Sequence, residues 1–253
     1  MADVLVDFKA EHTAYDTHQE DIAKDTMSNH QHTSTIYQTE LEDLRTAVLK
    51  MGGKVESQLR QAVLAFSESD KQMAEQVLEV EREVNRDHLN IDSMCSEIIA
   101  LRQPAASDLR MLLGMVRTVS DLERIGDEAS KIAKMALNTD PSKRGFLPRL
   151  QTIFQSADLA AAMLRSALDA FAREDTSDSR QIFASDLELD ELYKAIVRQL
   201  ITFMMEDPRT ISAALDDLWV AKAIERIGDH AENIAENAIY IIEGEDVRYT
   251  HNS

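Results

Sequence analysis

From about Ser34 onward, apolar side chains recur every three or four residues: Tyr37, Leu41, Leu44, Val48, Met51, Val55, Leu59, Ala62 and Phe66. This is the period of one helical face and predicts a first helix of about 33 residues. The polar run Ser67-Glu68-Ser69-Asp70 ends it, and Ser69 with Gln72 has the spacing of a capping box for the next helix. A second helix carries Val77, Val80, Val84, Ile91, Met94, Ile98 and Leu101, and Pro104 stops it because proline disfavours helical geometry in the residue before it. A third, from about Ala105, carries Leu109, Leu112, Val116, Val119, Leu122, Ile125, Ala129, Ile132 and Ala136. The stretch from Asn138 to Gly145 is the strongest loop signal in the chain. Three more long helices follow, over residues 147–172, 176–206 and 208–243, with Gly244 as a natural stop.

The expected fold is therefore all-α, two tandem and internally repeated three-helix bundles. The divisions are a flexible acidic tail (1–32), a first bundle (33–138), a linker (139–146), a second bundle (147–244) and a C-terminal tail (245–253). Residues 1–32 hold seven acidic and two basic residues and four of the seven histidines, with no sustained apolar period. His30 and His32 are read there as solvated tail residues.

A repeat supports the division. Glu123–Ala136 laid on Glu225–Ala238, a shift of 102, gives nine identities in fourteen, including the string Glu-Arg-Ile-Gly-Asp. A second match, at a shift of 105, places Glu81 on Asp186 and Asn85 on Asp190. Two copies of one unit make any feature kept in both informative.

Composition sharpens the picture. With seven Gly and four Pro in 253 residues, the chain lacks the turn residues that a many-stranded sheet consumes. The net charge of −19 repels phosphate backbones, so nucleic acid is not expected as a partner. One cysteine, Cys95, excludes an internal disulfide and fits a reducing compartment. The longest apolar runs, six residues long, fall far short of the roughly 20 that a spanning helix needs, and the acidic start is unlike a signal peptide, so the expectation is a cytoplasmic protein without membrane insertion.

The repeated motif carries the candidate chemistry. Glu123 with Asp127, and Glu225 with Asp229, stand four apart and share a helix face. Like charges at that spacing cost a helix about 0.2–0.5 kcal/mol, so keeping them twice calls for a compensating cation or for basic side chains nearby. In the preceding helix of each half, Glu81 with Asn85 and Asp186 with Asp190 repeat the spacing. Antiparallel packing would gather four oxygen-bearing side chains per half, a donor set suited to Mg, Mn, Ca or iron rather than to structural zinc. The alternative is a salt-bridged surface turn built with Arg124 and Arg226. Gly126 and Gly228 lie in mid-helix, where glycine costs about 1 kcal/mol, and permit close approach of a helix or a ligand shell.

The strings Arg102–Arg110, Asp121–Asp127, Phe203–Ser212, Ile224–Glu236 and Gly244–Arg248 resemble the PhoU family of phosphate-signalling regulators, over about residues 30–250. The resemblance implies a cytoplasmic, usually dimeric adaptor rather than an enzyme. Such a protein links the ATPase subunit of the Pst phosphate transporter to a PhoR-type sensor histidine kinase, restraining uptake and repressing starvation genes when phosphate is plentiful. It also implies metal binding (iron, zinc, manganese or magnesium) at Glu123, Asp127, Glu225 and Asp229, with Glu81, Asn85, Asp186 and Asp190 as companions. Asn85 stands where the second half has a carboxylate, so the first site is expected to be the less negative one.

A carboxylate-bridged metal enzyme of helical-bundle type is the alternative from another class. Such enzymes add histidine three residues after glutamate, and the chain has no Glu-x-x-His; His88 and His230 are expected at the surface or behind the acidic groups. Gly52-Gly53-Lys54 lacks the earlier glycine of a nucleotide-binding loop. The Met, Leu and aromatic stripes, Trp219 among them, are read as core or inter-helix packing.

Overall fold

A computed structural model of the chain describes residues 3–139, 147 and 151–248, with side chains from Thr35 onward. Residues 1–43 and 44–253 separate as two compact units; the packing and the sites described below belong to the second. Every regular element among the described residues is helical: α1 (Asp3–Glu68), α2 (Lys71–Arg102), α3 (Ala106–Asn138), α4 (Gln151–Arg173), α5 (Ser179–Glu206), a 3-10 turn (Pro208–Thr210) and α6 (Ile211–Glu243).

The segment expected as a tail has a helical backbone. The backbone of α1 is helical from Asp3, some thirty residues before the apolar period begins. Its Ala, Glu, Lys and Gln residues are good helix formers, and once a helix is nucleated each added residue needs no buried face to propagate it. The side chains of this segment, His30 and His32 included, lie outside the described residues, as do most of the expected linker and the chain after Arg248.

The junctions follow local chemistry. Asp70, not Ser69, caps α2, its carboxylate accepting from the Met73 N–H at 3.0 Å. Ser69 instead ends α1 with φ +56°, and the N–H groups of Ser69 and Asp70 bond back to the carbonyls of Phe66 and Ala65. Pro208 begins a separate 3-10 turn held by Asp207, rather than α6 itself. Gly244 ends α6 at φ +79°, its N–H bonded to the Tyr240 carbonyl.

Helices α1–α3 form one bundle and α4–α6 the other. Antiparallel α2 and α3 meet where Glu81 accepts from Ser130, and α5 meets α6 where Leu189 lies over Gly228. The bundles join along two antiparallel seams. Glu56 pairs with Arg165, and Arg45 with Glu174, between α1 and α4. Between α3 and α6, Arg226 reaches Glu128 at 3.3 Å and His230 meets Asp121 at 3.0 Å. Gly52 and Gly114 let Leu168 and Ile241 approach across these seams, in the space a Cβ would occupy. The core is aliphatic, with Leu44, Met51, Leu59, Ile91, Leu112, Met115, Leu122, Ile125, Ile132, Met163, Leu164 and Leu189 fully buried. Trp219, read as core or inter-helix packing, is 63% exposed and borders an apolar groove between α3 and α6.

Candidate functional site

Glycine sets the geometry of both acidic sites. A Cβ on Gly126 would stand 2.9 Å from Glu81 Oε2, 3.2 Å from Gln58 Oε1 and 3.3 Å from Val84 Cγ1. A Cβ on Gly228 would overlap the Leu189 side chain and lie 3.4 Å from Asp186 Oδ1. The duplicated glycine thus lets α2 settle on α3, and α5 on α6, with an acidic side chain of the approaching helix laid against the motif.

In the first half, Glu81 is buried, and its Oε2 accepts from Gln58 Nε2 at 2.8 Å and from the Ser130 hydroxyl at 3.1 Å. Burial pushes its carboxyl above the ordinary range; the two donors oppose this, and the charges of Asp127 and Glu123 add to the rise. Three of the four predicted residues, Glu81, Glu123 and Asp127, therefore share one electrostatic neighbourhood. Asn85 lies one turn along α2 and is exposed. Glu81 Oε1 and Gln58 Oε1 are buried with no hydrogen-bond partner, two acceptors that suit a cation or a proton.

The second half is more crowded and more negative. Asp186 is pushed up to about 7, first by burial and then by the charges of Glu232, Asp229, Asp190 and Glu225. Glu232 is likewise pushed up to about 7, by burial and then by Glu236, Asp229 and Asp190. Asp229 is raised by burial and by Glu225, against the pull of Lys222 and His230. All four predicted residues of this half thus act on one another. Partial relief comes from Lys222, paired with Glu225, and from Lys194, 4.0 Å from Asp190. The donors are all oxygen and their charge is under-compensated, which fits a hard cation. Among the described residues, however, no three His, Cys, Asp or Glu side chains converge tightly enough to hold a metal ion. The carboxylates share a face without forming a closed ligand shell.

Sequence reasoning missed Gln58, Ser130, Glu232 and Glu236. Ser130 and Glu232 stand three residues after the motif aspartates and seven after the glutamates, so extending the four-residue spacing by one turn finds both. Gln58 was visible as a polar residue inside the apolar stripe of α1. The two halves also differ here: Ser130 and Lys134 in the first stand where Glu232 and Glu236 stand in the second. His230 does not flank the acids alone; it crosses the seam to Asp121.

Comparison with known proteins places this architecture. A PhoU domain model matches residues 48–136 and again 153–238, one match per bundle. The chain is 44% identical over 231 residues to the phosphate-specific transport system accessory protein PhoU homolog of Pseudomonas putida, covering 90% of this chain and 88% of that one. It is 42% identical over 225 residues to the phosphate-specific transport system accessory protein PhoU of Escherichia coli (strain K12), covering 89% and 92%. The crystal structure of PhoU from Pseudomonas aeruginosa superposes with a TM-score of 0.78 at 44% identity, over 83% of this chain and 100% of that chain. That of the phosphate transport system regulatory protein PhoU from Streptococcus pneumoniae gives 0.77 at 30% identity, over 83% and 99%.

Proposed function

The chain belongs to the PhoU family of accessory and regulatory proteins of phosphate transport, and on that premise we propose that it is a cytoplasmic negative regulator of phosphate uptake and of the phosphate-starvation response. It is a regulatory protein rather than an enzyme, as the named relatives are, so the carboxylate-bridged metal enzyme is set aside. It works as a homodimeric adaptor: in phosphate-rich cells it contacts the ATPase subunit of the Pst transporter and a PhoR-type sensor histidine kinase, and holds both in a restrained state. The match over both bundles, at 42–44% identity to phosphate-transport accessory proteins, carries this reading. Among the described residues no helix is long and apolar enough to cross a membrane, which suits a protein that visits a transporter from one side.

Iron, manganese, magnesium or zinc is proposed at the acidic faces. Asp186, Asp190, Glu225 and Asp229 would hold a cation in the second half; Glu81, Glu123 and Asp127, with Asn85 beside them, would do so more weakly in the first. A bound cation would neutralise the mutual repulsion that raises Asp186 and Asp229 and would draw α5 onto α6. The ion is structural or regulatory in this reading, and no reaction step passes through it. A pull-down of the tagged chain from phosphate-rich and phosphate-starved cells tests the adaptor role. Recovery of the sensor kinase and the transporter ATPase in the rich condition is expected, and recovery of neither contradicts it.

A further inference from the structure

The internal repeat relates the two sides of the seam between α3 and α6, since a residue of α3 becomes its counterpart on α6 when 102 is added to its number. On one side the groove is sealed. Asp121 Oδ1 meets His230 Nδ1 at 3.0 Å and accepts from Asn233 Nδ2 at 3.4 Å, Asp121 Oδ2 accepts from Asn237 Nδ2 at 3.4 Å, and Arg117 lies over the Tyr240 ring at 5.2 Å. On the other side the counterparts of Asp121, His230, Asn233, Asn237 and Arg117 are Ala223, Glu128, Lys131, Met135 and Trp219. They leave a cavity of about 270 Å³. The same groove is thus filled once and open once.

We propose that the open groove, walled by Trp219 and edged by Lys131 and Arg226, is a docking site for an acidic peptide segment of a partner protein, one that carries an aromatic or aliphatic anchor side chain. Ile132, Met135, Val220 and Ala223 give it an apolar floor, and at about 270 Å³ it takes one or two side chains rather than a nucleotide-sized ligand. Trp219 presents a large rigid apolar face to solvent, the kind of residue that dominates binding hot spots. Charge selects the flanks of the peptide. The buried carboxylate of Glu128 is shared by Lys131 at 2.8 Å and Arg226 at 3.3 Å, so two cations meet one anion and a positive charge is left over. Lys222 completes the wall, paired with Glu225 and lying over the Tyr193 ring at 5.3 Å. On a chain of net charge −19, an acidic partner is repelled across most of the surface and guided to this edge.

The site deepens the adaptor reading and rests on it for biological meaning, but its test reads binding alone, so its failure would leave the regulatory role standing. Trp219 is the single tryptophan of the chain, and its emission reports directly on the groove. The full chain is titrated with the acetylated, amidated hexapeptide Glu-Asp-Phe-Leu-Asp-Glu and with its neutral isostere Gln-Asn-Phe-Leu-Asn-Gln. A saturable change with the acidic peptide is expected, weakened about tenfold by Lys131→Gln with Arg226→Gln. Arg124→Gln, at the counterpart of Arg226 on the sealed side, leaves it unchanged. Calorimetry on Trp219→Ala, an exposed substitution whose fold is checked by circular dichroism, shows a loss of about tenfold or more in affinity. The proposal is overturned by no saturable response, by equal responses to the acidic and neutral peptides, by ATP or inorganic phosphate binding as tightly as the peptide, or by unchanged affinity in Trp219→Ala.

Discussion

Replacing Gly126 by alanine tests whether the motif glycine exists to seat Glu81. In an open helix interior the change is favourable by about 1 kcal/mol, because alanine loses less backbone entropy and shields the backbone. Here the new Cβ stands 2.9 Å from Glu81 Oε2, 3.2 Å from Gln58 Oε1 and 3.3 Å from Val84 Cγ1. Glu81 cannot swing away cheaply, since it is buried and held by Gln58 at 2.8 Å and Ser130 at 3.1 Å. Overpacking of this kind costs about 1–3 kcal/mol, and a hydrogen bond to a carboxylate is worth about 1.5–3 kcal/mol if it breaks. The net expectation for Gly126→Ala is a destabilisation of about 1–3 kcal/mol. Gly53→Ala in α1 is the control. Nothing lies within 4 Å of its Cβ, so it keeps the propensity gain and stabilises by about 0.5–1 kcal/mol. Urea denaturation followed by circular dichroism measures both. Gly126→Ala matching or exceeding Gly53→Ala in stability would refute the reasoning.

The remaining expectations concern the acids. Asp186 and Glu232 are raised in the folded protein to about 7, above their unfolded values of about 4, so the fold holds their protons more tightly. In chelator-treated protein this contribution is full below about pH 4 and is lost as pH rises through about 7; with solvent screening of the two half-buried groups the loss is about 2–4 kcal/mol, of which Asp186→Asn restores about half; stability that rises between pH 5 and 8 would contradict it. Glu81→Gln at pH 8 removes a buried charge and adds a donor where Glu81 Oε1 has no partner, so it is neutral or stabilising by up to about 1 kcal/mol. Glu81→Leu removes the acceptor that Gln58 and Ser130 share, leaves Gln58 Nε2 only the longer contacts of 3.4–3.5 Å to Val77, Ser130 and Gly126, and costs about 1–3 kcal/mol; equal midpoints for the two variants would count against the network. Glu225→Ala with Asp229→Ala removes bound metal with little loss of helicity, and unchanged metal content by elemental analysis rejects the assignment.

The helical pattern was legible because each apolar stripe is also a buried stripe: Leu44, Val48, Met51, Val55 and Leu59 are all fully buried. The repeat exposed the duplicated acidic faces and their glycines. What stayed hidden depends on three-dimensional placement. That Glu81 is buried while Asn85, one turn on, is exposed follows from how α2 rotates onto α3. The helical backbone of the first thirty residues was not legible, because a helix needs no apolar face to continue from one already formed. Trp219 misled because its spacing fits a core stripe, whereas it stands at the edge of a groove lined by Ala223 and Arg226 of its own helix and by Lys131 of α3, and 63% of it is exposed.

The proposed restraint of phosphate uptake and repression of the starvation response in abundant phosphate can be tested in cells. The most direct measurement is a phosphate-starvation reporter in a strain deleted for this gene and grown in high phosphate, with and without the gene restored. The reporter is expected to stay active in the deletion strain and to fall silent on complementation. Normal repression in the deletion strain would contradict it.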